Sequence, residues 1–156
     1  MSDKATAVDA WEALFRAQVT VMRQLHAEFP ESQLTLTEYD VLFNLSRQPG
    51  RRLRIRDLND HMLISQPSVS RMVDRLAGRG LVVKTNDPDD ARGIIVELTD
   101  AGFSLFRRVA TSHMSSIAAR VGGALDDDEL RELNRLCTKL RLRPADPVGQ
   151  AGVVEG

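Results

Sequence analysis

Between residues 65 and 80 the chain reads Ser-Gln-Pro-Ser-Val-Ser-Arg-Met-Val-Asp-Arg-Leu-Ala-Gly-Arg-Gly, residue types suited to a surface that meets an anion. Val69, Met72, Val73 and Leu76 fall at the i, i+3, i+4, i+7 spacing of one apolar helical stripe. At about 100° per residue, Pro67, Ser70, Arg71, Asp74 and Arg75 then share the opposite face. Ser65 is placed to cap the helix start, and Pro67 falls where a missing N–H removes no intrahelical bond. Gly78 and Gly80 supply the end, because glycine takes the left-handed conformation a helix C-terminus often needs. Small hydroxyl side chains permit close approach, and two arginines one turn apart bring charge and planar donors. A helix N-terminus itself favours anions. Such a helix suits the DNA major groove, where arginine bonds guanine bidentately; on these sixteen residues alone a solvated amphipathic helix is the simpler reading.

A helix of this kind reads nothing unless its neighbours hold it. Ile55, Leu58 and Met62 mark a short helix over 55–62, and Leu63-Ile64 turns the chain into the next one, a helix-turn-helix pattern. Upstream, Thr35 and Glu38 form a capping box with Leu34 and Tyr39 as its staple, opening a helix buried through Tyr39, Leu42, Phe43 and Leu45. Pro49-Gly50 closes that helix and leads into the basic run Arg51-Arg52-Leu53-Arg54. Past Gly80 the pattern turns strand-like, with Leu81–Thr85 and Gly93–Leu98 rich in β-formers. Turn formers fill residues 86–92 between them, so the unit reads as a β-hairpin with a connection longer than a tight turn. Arg92 is the only cation in that connection. It either enters a narrow, electronegative minor groove or pairs locally with Asp87 or Asp90.

Three further helices frame this unit. Over 7–29, Trp11, Phe15, Gln18, Met22, Leu25 and Phe29 recur in steps of four and three, a helix-against-helix repeat that serves either a core or an intersubunit contact. Thr99 caps a helix reaching about Val121, with Phe103, Phe106, Val109, Ala110, His113, Met114 and Ile117 on one face. Gly122-Gly123 breaks it. Asp126 and Glu129 form a second capping box, Leu125 and Leu130 its staple, and Leu130, Leu133, Leu136, Cys137 and Leu140 a stripe expected to be buried. Lys139, Arg141 and Arg143 complement the dipole at its far end. The small residues, Pro and Gly after Pro144 predict a loose tail.

Composition bounds what these elements do. At 156 residues the chain suits one domain. Cys137 stands alone, which excludes an internal disulfide and a cysteine metal cluster, and an apolar stripe makes it a buried, inert thiol. No phosphate loop, HExxH pair, nucleophile elbow or metal-spaced His/Cys set occurs, so neither an enzyme nor a cofactor or metal site is expected. Neither a secretory signal nor a transmembrane stretch is visible, which points to the cytoplasm and no membrane partner. The net charge is only −1, yet residues 47–92 carry ten cations against six anions, a net of +4 between acidic ends. A basic middle of this kind is the footprint of a local phosphate-binding surface.

The order Leu-x-Ser-Gln-Pro-Ser-Val-Ser-Arg-Met-Val-Asp-Arg-Leu-x-x-Arg-Gly-Leu-Val, then Asp-Pro-x-Asp-x-Arg-Gly, then Val-x-Leu-Thr-x-x-Gly, resembles the MarR family of winged-helix transcriptional regulators. The resemblance runs from about Leu14 to Leu142 and is most specific from Leu63 to Gly102. It departs at Asp89, where many members carry arginine, so the wing should grip phosphate more weakly. It implies a mainly α fold with a small β-hairpin wing. A winged-helix domain would then occupy 7–143, with a DNA-binding lobe at 35–99, helix-turn-helix 55–79 and wing 81–98. Dimerisation helices would lie at 7–29 and 100–142, and a flexible tail at 144–156. The implied function is a transcription regulator, most simply a repressor, that binds a pseudo-palindromic operator as a homodimer with recognition helices about 34 Å apart. Candidate DNA contacts are Ser65, Gln66, Ser68, Ser70, Arg71 and Arg75, with Arg54 on the backbone and Arg92 in the flanking minor groove. Family members release DNA when a small aromatic or anionic effector binds between lobe and dimer helices, a place to which Tyr39 and His113 belong on this reading. His113 also fits a plain structural histidine. The competing function is a winged helix used only for protein contacts.

Overall fold

The computed structural model describes residues 3–62 and 66–142. The expected turn at Leu63-Ile64, the Ser65 cap, Arg143 and the tail at 144–156 lie outside the described residues. The chain order is α1 (Lys4–Glu28), α2 (Leu36–Ser46), β1 (Arg52–Arg54), α3 (Ile55–His61), α4 (Gln66–Gly78), β2 (Val82–Asp87), β3 (Asp90–Leu98), α5 (Asp100–Ile117) and α6 (Asp127–Arg141). The fold is thus mainly helical with a small antiparallel sheet.

Helix boundaries follow local chemistry. Asp3 caps α1 by accepting from the Thr6 N–H, which starts the helix a turn before residue 7. Phe29, the residue before Pro30, is extended and ends it. Thr35 Oγ1 accepts from the Glu38 N–H at 3.1 Å. The reciprocal half of that expected capping box goes elsewhere, because the Glu38 carboxylate binds Arg79 across the fold. At α6 both halves form: Asp126 accepts from Asp128 and Glu129, and Glu129 accepts from the Asp126 N–H. Gly80, at φ +74°, takes the left-handed turn after α4, whereas Gly78 stays within the helix. The Leu81 N–H then returns to the Leu76 carbonyl.

The core lies inside the helix-turn-helix unit. Leu34, Val41, Leu42, Leu45, Leu58, Val69, Val73, Leu76, Val82 and Val96 are almost wholly buried, so α2, α3, α4 and the sheet enclose one apolar centre. Leu105, Val109 and Ala110 of α5 extend it. The approach of α5 is close enough to require glycine. A Cβ at Gly102 would meet the Leu81 carbonyl oxygen at 2.0 Å, and Thr99 Oγ1 donates to the Gly80 carbonyl at 2.7 Å beside it.

Three expectations are corrected. The basic run at 51–54 contains a strand: β1 pairs antiparallel with β3, Arg52 opposite Glu97 and Arg54 opposite Ile95, giving strand order β1-β3-β2. Three residues are too few for a period to show, and their partner lies more than forty residues downstream. The hairpin connection is not long: β2 runs to Asp87 and β3 starts at Asp90, leaving Pro88 and Asp89 as the turn. Finally, the expected buried stripe of α6 is not buried in a single chain. Leu133, Leu136 and Leu140 are exposed, as are Trp11, Phe15 and Met22 of α1 and Met114 and Ile117 of α5, while Leu130 and Cys137 are half-buried.

Candidate nucleic-acid interface and adjoining cavity

The outward face of α4 follows from its inward one. Burying Val69, Met72, Val73 and Leu76 turns Arg71, Asp74 and Arg75 to solvent, with Gln66 exposed and Ser68 and Ser70 half-buried near the helix start. Arg71 Nη2 donates to Ser68 Oγ at 3.2 Å, a contact one turn long that aligns the guanidinium along the helix. Arg71 and Arg75 make no ion pair among the described residues.

Most other cations of the basic middle are committed within the fold. Arg79 donates to Glu38 Oε2 at 3.1 Å and to the Gln33 carbonyl at 2.7 Å, tying the end of α4 to the start of α2. Lys84 on β2 reaches Asp74 on α4 at 2.5 Å, fixing the wing against the helix. The Arg51 guanidinium lies over the Phe103 ring at 3.5 Å, and that of Arg47 over Phe43 at 5.3 Å. Within 47–92, Arg52, Arg71, Arg75 and Arg92 are left with neither an ion pair nor a ring contact among the described residues. Arg52, exposed on β1, carried no distinguishing signal in the sequence.

Arg54, expected to hold a DNA phosphate, has an internal partner. Its Nε sits 2.6 Å from Asp87 Oδ2, an ion pair without the alignment of a straight hydrogen bond. Asp87 is only 4% exposed and also accepts from the Asp89 N–H through Oδ1 at 2.9 Å. One buried carboxylate therefore closes the wing turn and anchors it to β1. Gly93 opposite leaves no room for a side chain, since a Cβ there would meet Asp87 Cβ at 2.9 Å. Arg92 is exposed; its own N–H bonds Asp90 Oδ1 at 3.0 Å, so the local contact is made by backbone and the guanidinium projects from the wing.

Tyr39 and His113 come together behind this lobe. Their rings meet edge to face at 4.9 Å, with Phe29 5.3 Å from His113 and Phe106 stacked on Tyr39 at 5.2 Å. His113 is 8% exposed; burial holds its imidazole below the ordinary value, and Nδ1 has no partner among the described residues. Both side chains line a cavity of about 490 Å³ between α1, α2, the end of α3 and α5. Gln18, Met22 and His26 come from α1, Thr37, Asp40 and Phe43 from α2, and His61 and Met62 from the end of α3. Of these wall residues, Asp40, His26 and His61 carried no signal in the sequence, because nothing in their spacing separates them from surface polar residues. His113 proves to be a buried histidine and a cavity wall at once.

A helix with two arginines on its outer face that make no ion pair among the described residues, held against a two-stranded wing with a third near its tip, defines the winged helix-turn-helix class. Among the described residues no three metal-ligating side chains cluster, and no helix is long and apolar enough to cross a membrane. Residues 32–93 match the family model described as MarR family. The chain is similar to the HTH-type transcriptional regulator PecS of Dickeya dadantii (strain 3937), 26% identical over 104 residues that cover 66% of this chain. The match spans 63% of the length of PecS. Among solved structures it is similar to Sco3205, a MarR family transcriptional regulator from Streptomyces coelicolor in complex with DNA, at 25% identity and a TM-score of 0.74. That match covers 93% of this chain and 92% of Sco3205. It is also similar to Bordetella bronchiseptica BpsR, whose DNA binding is regulated by 6-hydroxynicotinic acid, at 27% identity and a TM-score of 0.70, covering 86% of this chain and 93% of BpsR. The resemblance to the MarR family read from residues 63–102 is borne out.

Proposed function

We propose that this chain is a cytoplasmic DNA-binding transcription regulator, a repressor that grips a pseudo-palindromic operator as a homodimer and lets go when a small molecule fills the cavity behind Tyr39. The observation that carries the reading is the selective commitment of charge: cations around α4 are spent on internal partners, while Arg71, Arg75 and Arg92 stand exposed on the recognition helix and wing. Arg71 and Arg75, with Gln66, Ser68 and Ser70, are assigned to the major groove and Arg92 to the flanking minor groove. Arg54 is assigned a different part from the one its sequence suggested, setting the wing through Asp87. The complex of Sco3205 with DNA supports the partner.

The homodimer is supported by apolar side chains that a monomer leaves wet. Trp11 is 60% and Phe15 53% exposed on α1, their rings 6.0 Å apart, and Leu140 is 60% exposed on α6, more large apolar surface than single scattered residues would give. On this reading 35–99 form the DNA-binding lobe and the helices at 7–29 and 100–142 the dimer body. A ligand acts only through differential affinity for the two lobe spacings. Regulation of BpsR by 6-hydroxynicotinic acid supports a small aromatic effector.

Titration with duplex DNA taken from the promoter beside the gene, at two salt concentrations, tests the proposal. The expected result is an affinity that falls steeply with salt, as phosphate neutralisation requires, and exceeds that for scrambled duplex. Weak binding without salt or sequence dependence would leave the protein-contact module as the better reading.

A further inference from the structure

We propose that the cavity between α1, α2 and α5 takes a small flat aromatic ligand bearing a hydrogen-bond-donating or cationic nitrogen group and no negative charge, anchored by Asp40 and His113. The proposal rests on the effector reading given above and adds to it the charge of the effector, which differs from that of the acid that regulates BpsR. The volume, about 490 Å³, suits a molecule of one or two rings. Its walls combine aliphatic side chains such as Met22, Leu36 and Ile117 with the rings of Tyr39, Phe43 and His113. What distinguishes the lining is its charge. No lysine or arginine is among the described residues that line it, and its one acid is Asp40.

The surrounding groups do not reverse that balance. His26 faces Glu31 at 3.7 Å, and His61 acts on Asp40 itself, so each exposed histidine is matched by a carboxylate. His113 is held neutral by its burial. Arg120, just past the end of α5, is paired with Glu28, while Arg47 and Arg107 lie over the rings of Phe43 and Phe103 and neither lines the cavity. The nearest polar neighbour of Asp40 is Asn44, whose Nδ2 is 3.4 Å from Asp40 Oδ1 but gives its shorter contact, 2.8 Å, to the Asp40 carbonyl. The carboxylate thus retains acceptor capacity. Burial pushes the Asp40 carboxyl upward and His61 pulls it back. An anionic ligand would place its carboxylate near Asp40 with no lysine or arginine among the described lining residues to offset the repulsion. A donor group meets an acceptor at Asp40 and a second polar atom at His113 Nδ1, which is buried without a partner and therefore gains most from being satisfied.

Benzamidine, benzamide and benzoate share one ring and nearly one shape while carrying positive, zero and negative charge. NMR titration of the full-length chain with each at neutral pH should rank benzamidine tightest and benzoate weakest, with about a tenfold spread, the size of one partly buried charge contact. Asp40→Asn keeps the side-chain shape and should reduce the benzamidine advantage over benzamide to less than about twofold. Benzoate binding as tightly as benzamidine, no binding by any of the three, or a ranking unchanged in Asp40→Asn would overturn the proposal. Operator affinity measured with and without each probe separates this inference from the one beneath it. Binding in the expected order with unchanged operator affinity upholds the ligand class and overturns effector release. Tightest binding by benzoate with weakened operator affinity upholds release and overturns the ligand class.

Discussion

Leu136→Asp tests whether the apolar faces of α1 and α6 are covered by a second copy of the chain. Leu136 is 47% exposed in one chain, and α6 holds no buried residue, so the substitution costs the isolated fold little. Burying a whole leucine side chain is worth about 1.5–3 kcal/mol, so the half that a partner would cover is worth about 1 kcal/mol per copy and roughly 2 kcal/mol across a two-fold interface. The carboxylate adds the larger part, because an unpaired charge carried into an apolar contact costs several kcal/mol per ion. The total, on the order of 5 kcal/mol, weakens dimerisation by roughly a thousandfold or more. Sedimentation velocity over a concentration series should show a dimer for the parent at micromolar concentration and a folded monomer for the variant. Trp11, the sole tryptophan, gives a second readout on a different helix. It is 60% exposed in one chain, so acrylamide should quench it weakly in the parent and strongly in the variant. A parent that sediments as a folded monomer, or equal quenching in the two proteins, refutes the reasoning.

Three further outcomes are expected. Arg71→Ala should cost about 1–3 kcal/mol of operator affinity and flatten preference at one position per half-site, whereas Arg92→Ala should weaken binding more on A·T-rich than on G·C-rich flanks; binding assays on an operator panel at two salt concentrations separate them. Gly102→Ala should destabilise the fold by about 1–3 kcal/mol, because the new Cβ meets Leu81 backbone and either α5 or β2 must shift; the urea midpoint reads it. Burial holds the folded His113 below 6.5, so below that pH the unfolded imidazole binds a proton that the folded one does not. Stability is therefore full above about pH 6.5 and declines as pH falls beneath it, and the decline should be shallower in His113→Phe when melting is compared across pH.

The sequence by itself determined the helices and their order, because a 3.6-residue apolar period and the caps at Thr35, Thr99 and Asp126 act within a few residues of themselves. It also determined which face of α4 would be wet, since Val69, Met72, Val73 and Leu76 leave only one other. Tertiary structure decided what each charge does. Arg54 and Arg92 look alike in a basic stretch, yet one is held by a buried carboxylate 33 positions away and the other projects from the wing. Glu38 read as half of a capping box and was drawn instead to Arg79, 41 positions on, because a local cap and a long-range ion pair compete for the same oxygens. The strand at 52–54 exists only because β3 is beside it, and the wing turn is tight only because Asp87 is folded inward among residues that read as loop formers. The cavity had no local sequence signature: the family resemblance pointed to Tyr39 and His113, but Asp40, His61 and His113 are brought together only by helices that pack from three separate parts of the chain. Periodicity and capping are local and so are written in the sequence, whereas pairing, enclosure and the fate of a charge depend on neighbours that only the folded chain supplies.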